Sequence, residues 1–226
     1  MTDWIGKLIV IDGPDGGGKT TQIGILRDTL AHRYSRPPED FVFTREPGGS
    51  TFAEQIRALI LSEGSRGVSA EIMIQLFGAA RFEHLRSTIE PALAEGRIVV
   101  TDRFDAATYA YQITAQKGGK EARRLFEMQR ALLEEREVFN GRDWTTIILD
   151  VEPETGRQRL AERGGEKLNH FDERPLSFHY DVRTGFKHYA LKYGPTWTID
   201  TSGRTPCQVH QDIIMVFDQV LGGPNR

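Results

Sequence analysis

The chain is poor in cysteine, in long apolar runs and in excess charge of one sign, and each shortage excludes a class of protein. Cys207 is the single cysteine among 226 residues, so an internal disulfide and the multi-cysteine zinc and iron–sulfur sites are excluded. The longest apolar stretches, such as residues 8–11, are far shorter than the roughly 18 residues of a membrane-spanning helix. Lys and Arg total 29 against 32 Asp and Glu, a net charge of −3, which offers no general attraction to nucleic acid or to an anionic membrane. An anionic ligand must therefore be bound by a local site.

The remaining composition fits a folded globular chain. Hydrophobic residues make up 38%, and the 23 glycines raise the apolar share to about 48%, within the usual globular range of roughly 45–50%. A length of 226 residues, without a repeat or a low-complexity tract, predicts one domain over residues 1–226. The chain starts Met1-Thr2-Asp3, without the basic segment that opens a signal peptide. We therefore expect a cytoplasmic protein with no membrane and no nucleic-acid partner.

Short apolar runs alternate with helical patterns along the whole chain. The runs are nearly continuous, as in parallel strands that are covered on both faces. Together with the intervening helices they predict an α/β fold with a parallel sheet. The five predicted strands are Leu8–Ile11, Phe41–Thr44, Ile98–Thr101, Thr146–Val151 and Thr196–Ile199.

Two helix starts are marked by the spacing of a capping box. Thr51 with Glu54, and Thr205 with Gln208, stand three residues apart, and Pro206 would occupy the first position of the second helix. Apolar residues at helical spacing predict the bodies of three helices. These residues are Ile23, Leu26, Leu30 and Tyr34 in the first helix, Leu125, Met128 and Leu132 in the second, and Val209, Ile213, Phe217 and Val220 in the third.

A phosphate-binding loop directly follows the first predicted strand. Residues 13–20 read GPDGGGKT, which matches the G-x-x-x-x-G-K-[ST] pattern, and the first helical pattern comes next. In such a loop the backbone N–H groups converge on phosphate oxygens, while Lys19 binds the β- and γ-phosphates and the Thr20 hydroxyl binds Mg²⁺. The pattern predicts a nucleoside-triphosphate site without defining the reaction. The candidate ATP phosphate ligands are Gly13, Gly16, Gly17, Gly18, Lys19, Thr20 and Thr21.

A second charged element, Asp102-Arg103, closes the third predicted strand. Phosphate-binding loops of this type need a carboxylate near the magnesium ion at the end of a neighbouring strand, and Asp102 fits that position, directly or through water. Arg103 would place a guanidinium at the same edge, where it can bind two phosphate oxygens at once.

The order and spacing of the motifs resemble the thymidylate kinase family, P-loop kinases that transfer a phosphoryl group from ATP to dTMP. The similarity extends from about residue 7 to residue 200. It implies a three-layer P-loop kinase fold with a five-stranded parallel sheet flanked by helices, a mobile lid over about residues 163–175, and a homodimer. The matching segments are IDGPDGGGKTT at 11–21, FTREPGG at 43–49, LFGAAR at 76–81, DRF at 102–104 and AYQ at 110–112.

The resemblance also implies how the acceptor base is bound. Phe77 would stack on the pyrimidine, a contact that accepts any base, so polar neighbours must supply specificity. Arg81, one helical turn further, would donate to the base O4 and so favour thymine or uracil over cytosine. Thr108 and Gln112 occupy positions where the family contacts the base, and Tyr111 lies near the sugar, where its bulk favours deoxyribose.

For the acceptor phosphate and for catalysis, the resemblance implicates three further charged residues. Arg45 and Arg103 match the family's contacts to the monophosphate, and Asp15 matches a loop acid near the 3′-hydroxyl and the acceptor phosphate. Together with Lys19, these residues imply that the enzyme accelerates phosphoryl transfer by aligning the two substrates and by neutralising phosphate charge.

The predicted lid departs from the family pattern. A lid motif of the form Asp-Arg-x-Glu is matched here by Asn169-His170-Phe171-Asp172, so histidine replaces the expected arginine, and the phosphate loop has no arginine either. We therefore expect Arg163 to supply the missing catalytic cation, with Lys167 and Arg174 as the next candidates. Ala107 and Phe104 also replace residues that are commonly a hydroxyl residue and a tyrosine.

The sequence is thus interpreted as a dTMP kinase of deoxynucleotide biosynthesis that uses ATP and Mg²⁺. One alternative is a kinase for another deoxynucleoside monophosphate, such as a virus-encoded kinase for a 5-modified deoxyuridylate. A second alternative, of a different class, is a nucleotide-binding switch module. Residues that would bind a second substrate distinguish the kinases from the switch.

Overall fold

A parallel sheet of five strands forms the centre of the protein. The computed structural model describes residues 6–139, 144–162 and 169–223. The strand order is β2-β3-β1-β4-β5, and all neighbours pair in parallel. The five predicted strands and the α/β class are confirmed. The strands are β1 Lys7–Asp12, β2 Phe41–Arg45, β3 Ile98–Asp102, β4 Thr145–Asp150 and β5 Thr196–Asp200.

Helices cover both faces of this sheet, which explains the nearly continuous apolar strands. Helix α3 continues through a π-helical stretch, Leu85–Ile89, into α4, and α5 continues into a second π-helical stretch, Tyr109–Ala115. Within the described ranges, no helix combines the length and the apolar character needed to cross a membrane. The helices are α1 Lys19–Arg33, α2 Thr51–Leu61, α3 Ala70–His84, α4 Glu90–Ala94, α5 Asp105–Thr108, α6 Lys120–Glu134, α7 Pro153–Glu162, α8 Leu176–Lys192 and α9 Pro206–Leu221.

The register of the sheet brings three functional segments to one edge. Ile11 of β1 pairs with Asp102 of β3, and Asp102 also pairs with Arg45 of β2. Because parallel strands end on the same side, the loops that follow β1, β2 and β3 are neighbours there. The phosphate loop, the Arg45-Glu46 segment and the Asp102-Arg103 segment therefore converge.

The two predicted capping boxes have different outcomes. At α9 the box is confirmed, since Oγ1 of Thr205 accepts from the Gln208 N–H at 3.3 Å and Oε1 of Gln208 accepts from the Thr205 N–H at 2.9 Å. At α2 the prediction is wrong by one residue, because Ser50 is the N-cap and accepts from the Ala53 N–H at 3.2 Å. Glu54 is not free for a box because it pairs with a neighbouring arginine, described below.

Two of the three apolar residues that predict α6 lie on the outer face of that helix. The helix is confirmed, but Met128 is 53% exposed and Leu132 47%. The buried residues are Ala122, Phe126 and Leu133, which join the clusters of the core. Leu125, the third residue of the predicted pattern, is partly buried and packs against one of these clusters.

Candidate active site

The phosphate loop has the geometry that its sequence predicts. Gly16 and Gly18 have left-handed backbone angles, with φ of 76° and 93°, and α1 begins at Lys19. The Lys19 ammonium is buried and donates to the carbonyls of Gly13 and Pro14, both at 2.9 Å. Burial, assisted by the nearby Arg103 charge, lowers the pKa of Lys19. The lysine is thus held inside the loop, ready to exchange carbonyl contacts for phosphate oxygens.

The packing around Gly16 explains why the phosphate loop has no arginine at position 16. A Cβ atom on Gly16 would lie 2.2 Å from the carbonyl oxygen of Gly156 in α7, and a Cβ on Gly156 would lie 2.5 Å from the carbonyl oxygen of Asp15. The backbones of the loop and of α7 are therefore packed against each other without room for a side chain. An arginine at position 16 is therefore excluded, and Lys19 is the cation that the loop itself supplies.

Beside the loop, Thr20 and Asp102 line a common groove. Oδ1 of Asp102 is buried and, among the described residues, has no hydrogen-bond partner. Arg45 lines this same groove and is paired with Glu54, whose carboxylate accepts from Nη2 of Arg45 at 3.0 and 3.1 Å. The unpartnered carboxylate oxygen and the nearby hydroxyl are oxygen ligands of the kind that Mg²⁺ prefers.

A separate cavity of about 180 Å³ lies between the phosphate loop, α3 and the segment that follows β3. Arg45 is absent from its wall, since it lines the neighbouring groove. The cavity brings together seven residues that the sequence predicts for the acceptor. They are Asp15, Phe77, Arg81, Arg103, Thr108, Tyr111 and Gln112.

Asp15 is the centre of a buried charge cluster in this cavity. It accepts from Nη2 of Arg103 through one oxygen and from the Tyr111 hydroxyl through the other. Burial acts to raise the pKa of Asp15, but the Arg103 and Lys19 charges outweigh it and lower the pKa to about 2. The Arg103 guanidinium also lies 5.3 Å from the centre of the Tyr111 ring. Asp15 is therefore ionised at neutral pH and holds Arg103 beside the phosphate loop.

Asp12, which precedes the loop, connects the donor and acceptor sides. It is fully buried, and its carboxylate accepts from the N–H groups of Gly13 at 2.8 Å, Phe104 at 3.2 Å and Ala107 at 3.1 Å. Burial raises its pKa to about 6, although the nearby Arg103 charge acts in the opposite direction. Asp12 thereby holds the backbone around Arg103, which has a left-handed φ of 71°.

Arg81 and Gln112 give the cavity a polar wall. Arg81 is only 3% exposed, and it donates from Nε to Glu46 at 2.7 Å and from Nη2 to Thr108 at 3.1 Å. The Gln112 side chain is 1% exposed, and both of its amide atoms lack a partner among the described residues. Because a buried amide without partners is costly, this pair of atoms marks a place for a ligand with a matching donor and acceptor.

Arg57 is a cavity residue that sequence reasoning missed. It donates from Nη1 to the Pro47 carbonyl at 2.9 Å. Burial lowers the pKa of Arg57, and the charges of Arg45 and Arg103 act in the same direction, whereas the Glu54 carboxylate acts to raise it. Arg57 and Arg103 line the same cavity. Such a pair of guanidinium groups has a strong electrostatic preference for an anion. A signal was present in the sequence, since Arg57 lies in the helix that follows the FTREPGG motif, eight residues after Gly49.

A further groove lies on the other side of the phosphate loop, along Gly16, Gly17 and Gly18. Arg159 of α7 spans it, donating to the Gly16 carbonyl at 3.2 Å and to the Thr201 carbonyl at 2.8 Å. Neither Arg159 nor Thr201 is part of a motif, so the sequence alone did not indicate this groove.

The lid is described only in part. Arg163 and Lys167 lie outside the described residues. His170 is 1% exposed, and its Nε2 lies 2.8 Å from Oγ of Ser65 and 3.0 Å from the Ile60 carbonyl. The guanidinium of Arg174 lies over the Phe178 ring, 5.5 Å from its centre. Three neighbours of His170, namely Asn169, Phe171 and Asp172, line the acceptor cavity.

The chain is similar to known proteins over most of its length. The family model for thymidylate kinase matches residues 11–213. The chain is 37% identical to the thymidylate kinase of Ectopseudomonas mendocina, covering 96% of this chain and 97% of that protein. It is 38% identical to that of Ruegeria pomeroyi, covering 92% of each. The crystal structure of thymidylate kinase from Ehrlichia chaffeensis superposes with a TM-score of 0.70 at 28% identity, covering 94% of this chain and 98% of that one. The chain therefore belongs to the thymidylate kinase family, enzymes that phosphorylate dTMP with ATP.

Proposed function

We propose that the cavity between the phosphate loop and α3 binds dTMP, and that the loop with its flanking groove binds ATP. The observation that carries this proposal is the composition of the cavity wall. It combines guanidinium groups that suit a phosphate, Arg57 and Arg103, with an aromatic ring and an unpartnered amide that suit a base, Phe77 and Gln112. A site for a single nucleotide, as in a switch module, has no use for this second set.

In this proposal three side chains recognise the base. Phe77 is partly buried at the cavity wall and stacks on the pyrimidine ring. Arg81 donates to O4, which excludes the amino group of cytosine because a guanidinium is donor-only. The Gln112 amide pairs with the remaining polar edge of thymine, which offers both an N–H donor and a carbonyl acceptor. Thr108 steadies Arg81, and Tyr111 borders the sugar.

The acceptor phosphate is bound by Arg57 and Arg103, which line the cavity, together with Arg45 from the neighbouring groove. An ionised phosphate oxygen needs little base catalysis, so the protein acts by aligning the acceptor with the γ-phosphorus of ATP and by neutralising charge. Lys19 and Arg103 supply positive charge from the loop side, and Asp15 orients Arg103. We assign the lid cation to Arg163, since Gly16 leaves no room for an arginine in the loop.

Magnesium would be held by Thr20 and by Asp102, directly or through water. The fit rests on the buried, unpartnered Oδ1 of Asp102 in the groove that Thr20 also lines. When bound, Mg²⁺ neutralises phosphate charge. Asp102 is at the end of β3, one residue before Arg103, so the sheet itself fixes the carboxylate relative to the acceptor cation.

The enzyme is also proposed to be a homodimer through α2, α3 and α6. These helices expose large apolar side chains that a single chain leaves uncovered, namely Phe52, Leu59, Ile72, Met128 and Leu132. Phe52 and Leu59 are two turns apart on α2, and Met128 and Leu132 are one turn apart on α6, so each pair shares a helix face. Exposed apolar patches of this kind mark interaction surfaces.

A cytoplasmic location completes the proposal. The free thiol of Cys207 is exposed, which suits a reducing compartment.

A coupled assay of ADP formation with each deoxynucleoside monophosphate tests the assignment of the acceptor cavity. We expect turnover with dTMP, weaker turnover with dUMP, which lacks the methyl group, and the poorest with dCMP, whose 4-amino group opposes Arg81. Equal kcat/KM for dTMP and dCMP would contradict the proposed base contacts. Faster turnover with a bulkier 5-substituted deoxyuridylate would instead identify a modified nucleotide as the preferred substrate.

A further inference from the structure

Behind Arg81, three polar side chains, Glu46, His84 and Thr44, form a continuous chain of contacts. Glu46 is 4% exposed, and its Oε2 accepts from Nε of Arg81 at 2.7 Å. Its Oε1 lies 3.2 Å from Nδ1 of His84, which is fully buried, and Nε2 of that histidine lies 2.7 Å from Oγ1 of Thr44. Both carboxylate oxygens of Glu46 are therefore occupied, one by the arginine and one by the histidine.

These contacts fix the direction of the Arg81 guanidinium. Glu46 holds Nε, Thr108 holds Nη2 at 3.1 Å, and the Phe104 ring lies beneath the guanidinium carbon, 5.0 Å from the ring centre. Within the described residues, Nη1 of Arg81 has no hydrogen-bond partner, and Arg81 lines the acceptor cavity. An arginine side chain has much rotational freedom, so a donor that is to discriminate between two base edges must be held in place by other groups.

We infer that Glu46 is a positioning residue that determines base specificity, because its buried carboxylate fixes the Arg81 guanidinium against the 4-position of the base. The inference rests on the proposed contact between Arg81 and O4. A fixed donor pairs with the carbonyl of thymine and stands against the amino group of cytosine. If the Arg81 guanidinium is free to rotate, it can turn away from the amino group of cytosine, and the preference for dTMP over dCMP falls.

His84 supports the same function from the other side of the carboxylate. Its imidazole contacts the oxygen of Glu46 that does not bind Arg81, so the carboxylate cannot turn away from the arginine without losing a second buried contact. The Nε2 contact with Thr44 fixes the ring in turn. These contacts connect Arg81 to Thr44 in β2, and the residue after Thr44 is Arg45.

The test compares kcat and KM for dTMP and for dCMP in the wild type and in Glu46→Gln. We expect KM for dTMP to rise about tenfold, with kcat within about threefold, because one charge-assisted contact to Arg81 is lost. The ratio of kcat/KM for dTMP over dCMP should fall by about the same factor. Glu83→Gln is the matched control, since Glu83 also pairs with an arginine of the same helical run, Arg86, but on the surface. This control should leave the ratio unchanged.

A double-mutant cycle with Arg81→Ala separates the possible results. If Glu46 acts through Arg81, Glu46→Gln should change KM for dTMP by less than about threefold in the Arg81→Ala background. Equal losses for both substrates in Glu46→Gln, or an undiminished effect in the Arg81→Ala background, would overturn the inference and leave the Arg81 contact standing. If Arg81→Ala itself leaves the ratio unchanged, the proposed base contact fails, and the inference fails with it. Should Glu46→Gln not fold, Glu46→Asp keeps the charge but withdraws the carboxylate, and an unaltered ratio in that folded variant would also overturn the inference.

Discussion

Arg57→Met is the perturbation that isolates the acceptor phosphate from the rest of the site. Methionine keeps the unbranched, apolar part of the side chain, whereas the guanidinium that lines the cavity with Arg103 is lost. A hydrogen bond to a charged group contributes about 1.5–3 kcal/mol, which corresponds to a factor of about 10 to 150 in the dissociation constant. Since two guanidinium groups remain, we expect dTMP to bind about 10 to 30 times more weakly.

The assay is a calorimetric titration with dTMP and, separately, with thymidine, which has the same base and sugar but no phosphate. Thymidine affinity should change by less than about twofold, because Arg57 is not assigned to the base. Arg57 also donates to the Pro47 carbonyl at 2.9 Å, so the thermal stability of the variant is measured alongside. An equal loss for both ligands would show that Arg57 only holds the backbone at Pro47, and the phosphate assignment would be refuted.

Four further outcomes follow from the site. Lys19→Ala should abolish phosphoryl transfer but leave the dissociation constant of dTMP within about threefold, and normal turnover would contradict the loop assignment. Phe77→Ala should weaken the binding of both dTMP and thymidine by about 1–3 kcal/mol, as measured by calorimetry. An unchanged affinity would show that Phe77 only packs in the core. Asp12 has a pKa of 3.8 when unfolded and about 6 when folded, so its contribution to the free energy of unfolding falls as pH rises from about 4 to 6, by up to about 3 kcal/mol. Denaturant unfolding of Asp12→Asn should lack this slope, and a slope equal to that of the wild type would refute the assignment. His170→Ala should lower stability by about 1–3 kcal/mol, because it removes a buried side chain whose Nε2 contacts the Ser65 hydroxyl and the Ile60 carbonyl, and kcat should stay within about twofold. A large loss of kcat in a stable protein would instead assign His170 a role in catalysis.

The features that sequence predicted well are those set by local pattern. The five strands follow from continuous apolar runs, and the loop at residues 13–20 follows from a motif whose glycines serve local backbone geometry. Asp102 and Arg103 could be placed beside that loop because parallel strands end at one edge of the sheet. None of these inferences needs knowledge of which helix covers which face.

The features that sequence missed depend on packing between distant segments. Arg57 enters the cavity because α2 lies along it, and the pairing of Glu46 with His84 joins residues 38 positions apart. His170, which falls in the catalytic lid motif, is instead buried against Ser65. Met128 of α6 is exposed, because helical spacing shows that residues share a face but not which other segment covers that face.

A crystal structure with dTMP and a non-hydrolysable ATP analogue would show where each nucleotide binds. We expect the thymine ring on Phe77 with O4 within hydrogen-bond distance of Arg81, and the phosphate in contact with Arg45, Arg57 and Arg103. A dTMP molecule bound in the groove on the other side of the phosphate loop, or with its phosphate away from these arginines, would contradict the proposed acceptor site.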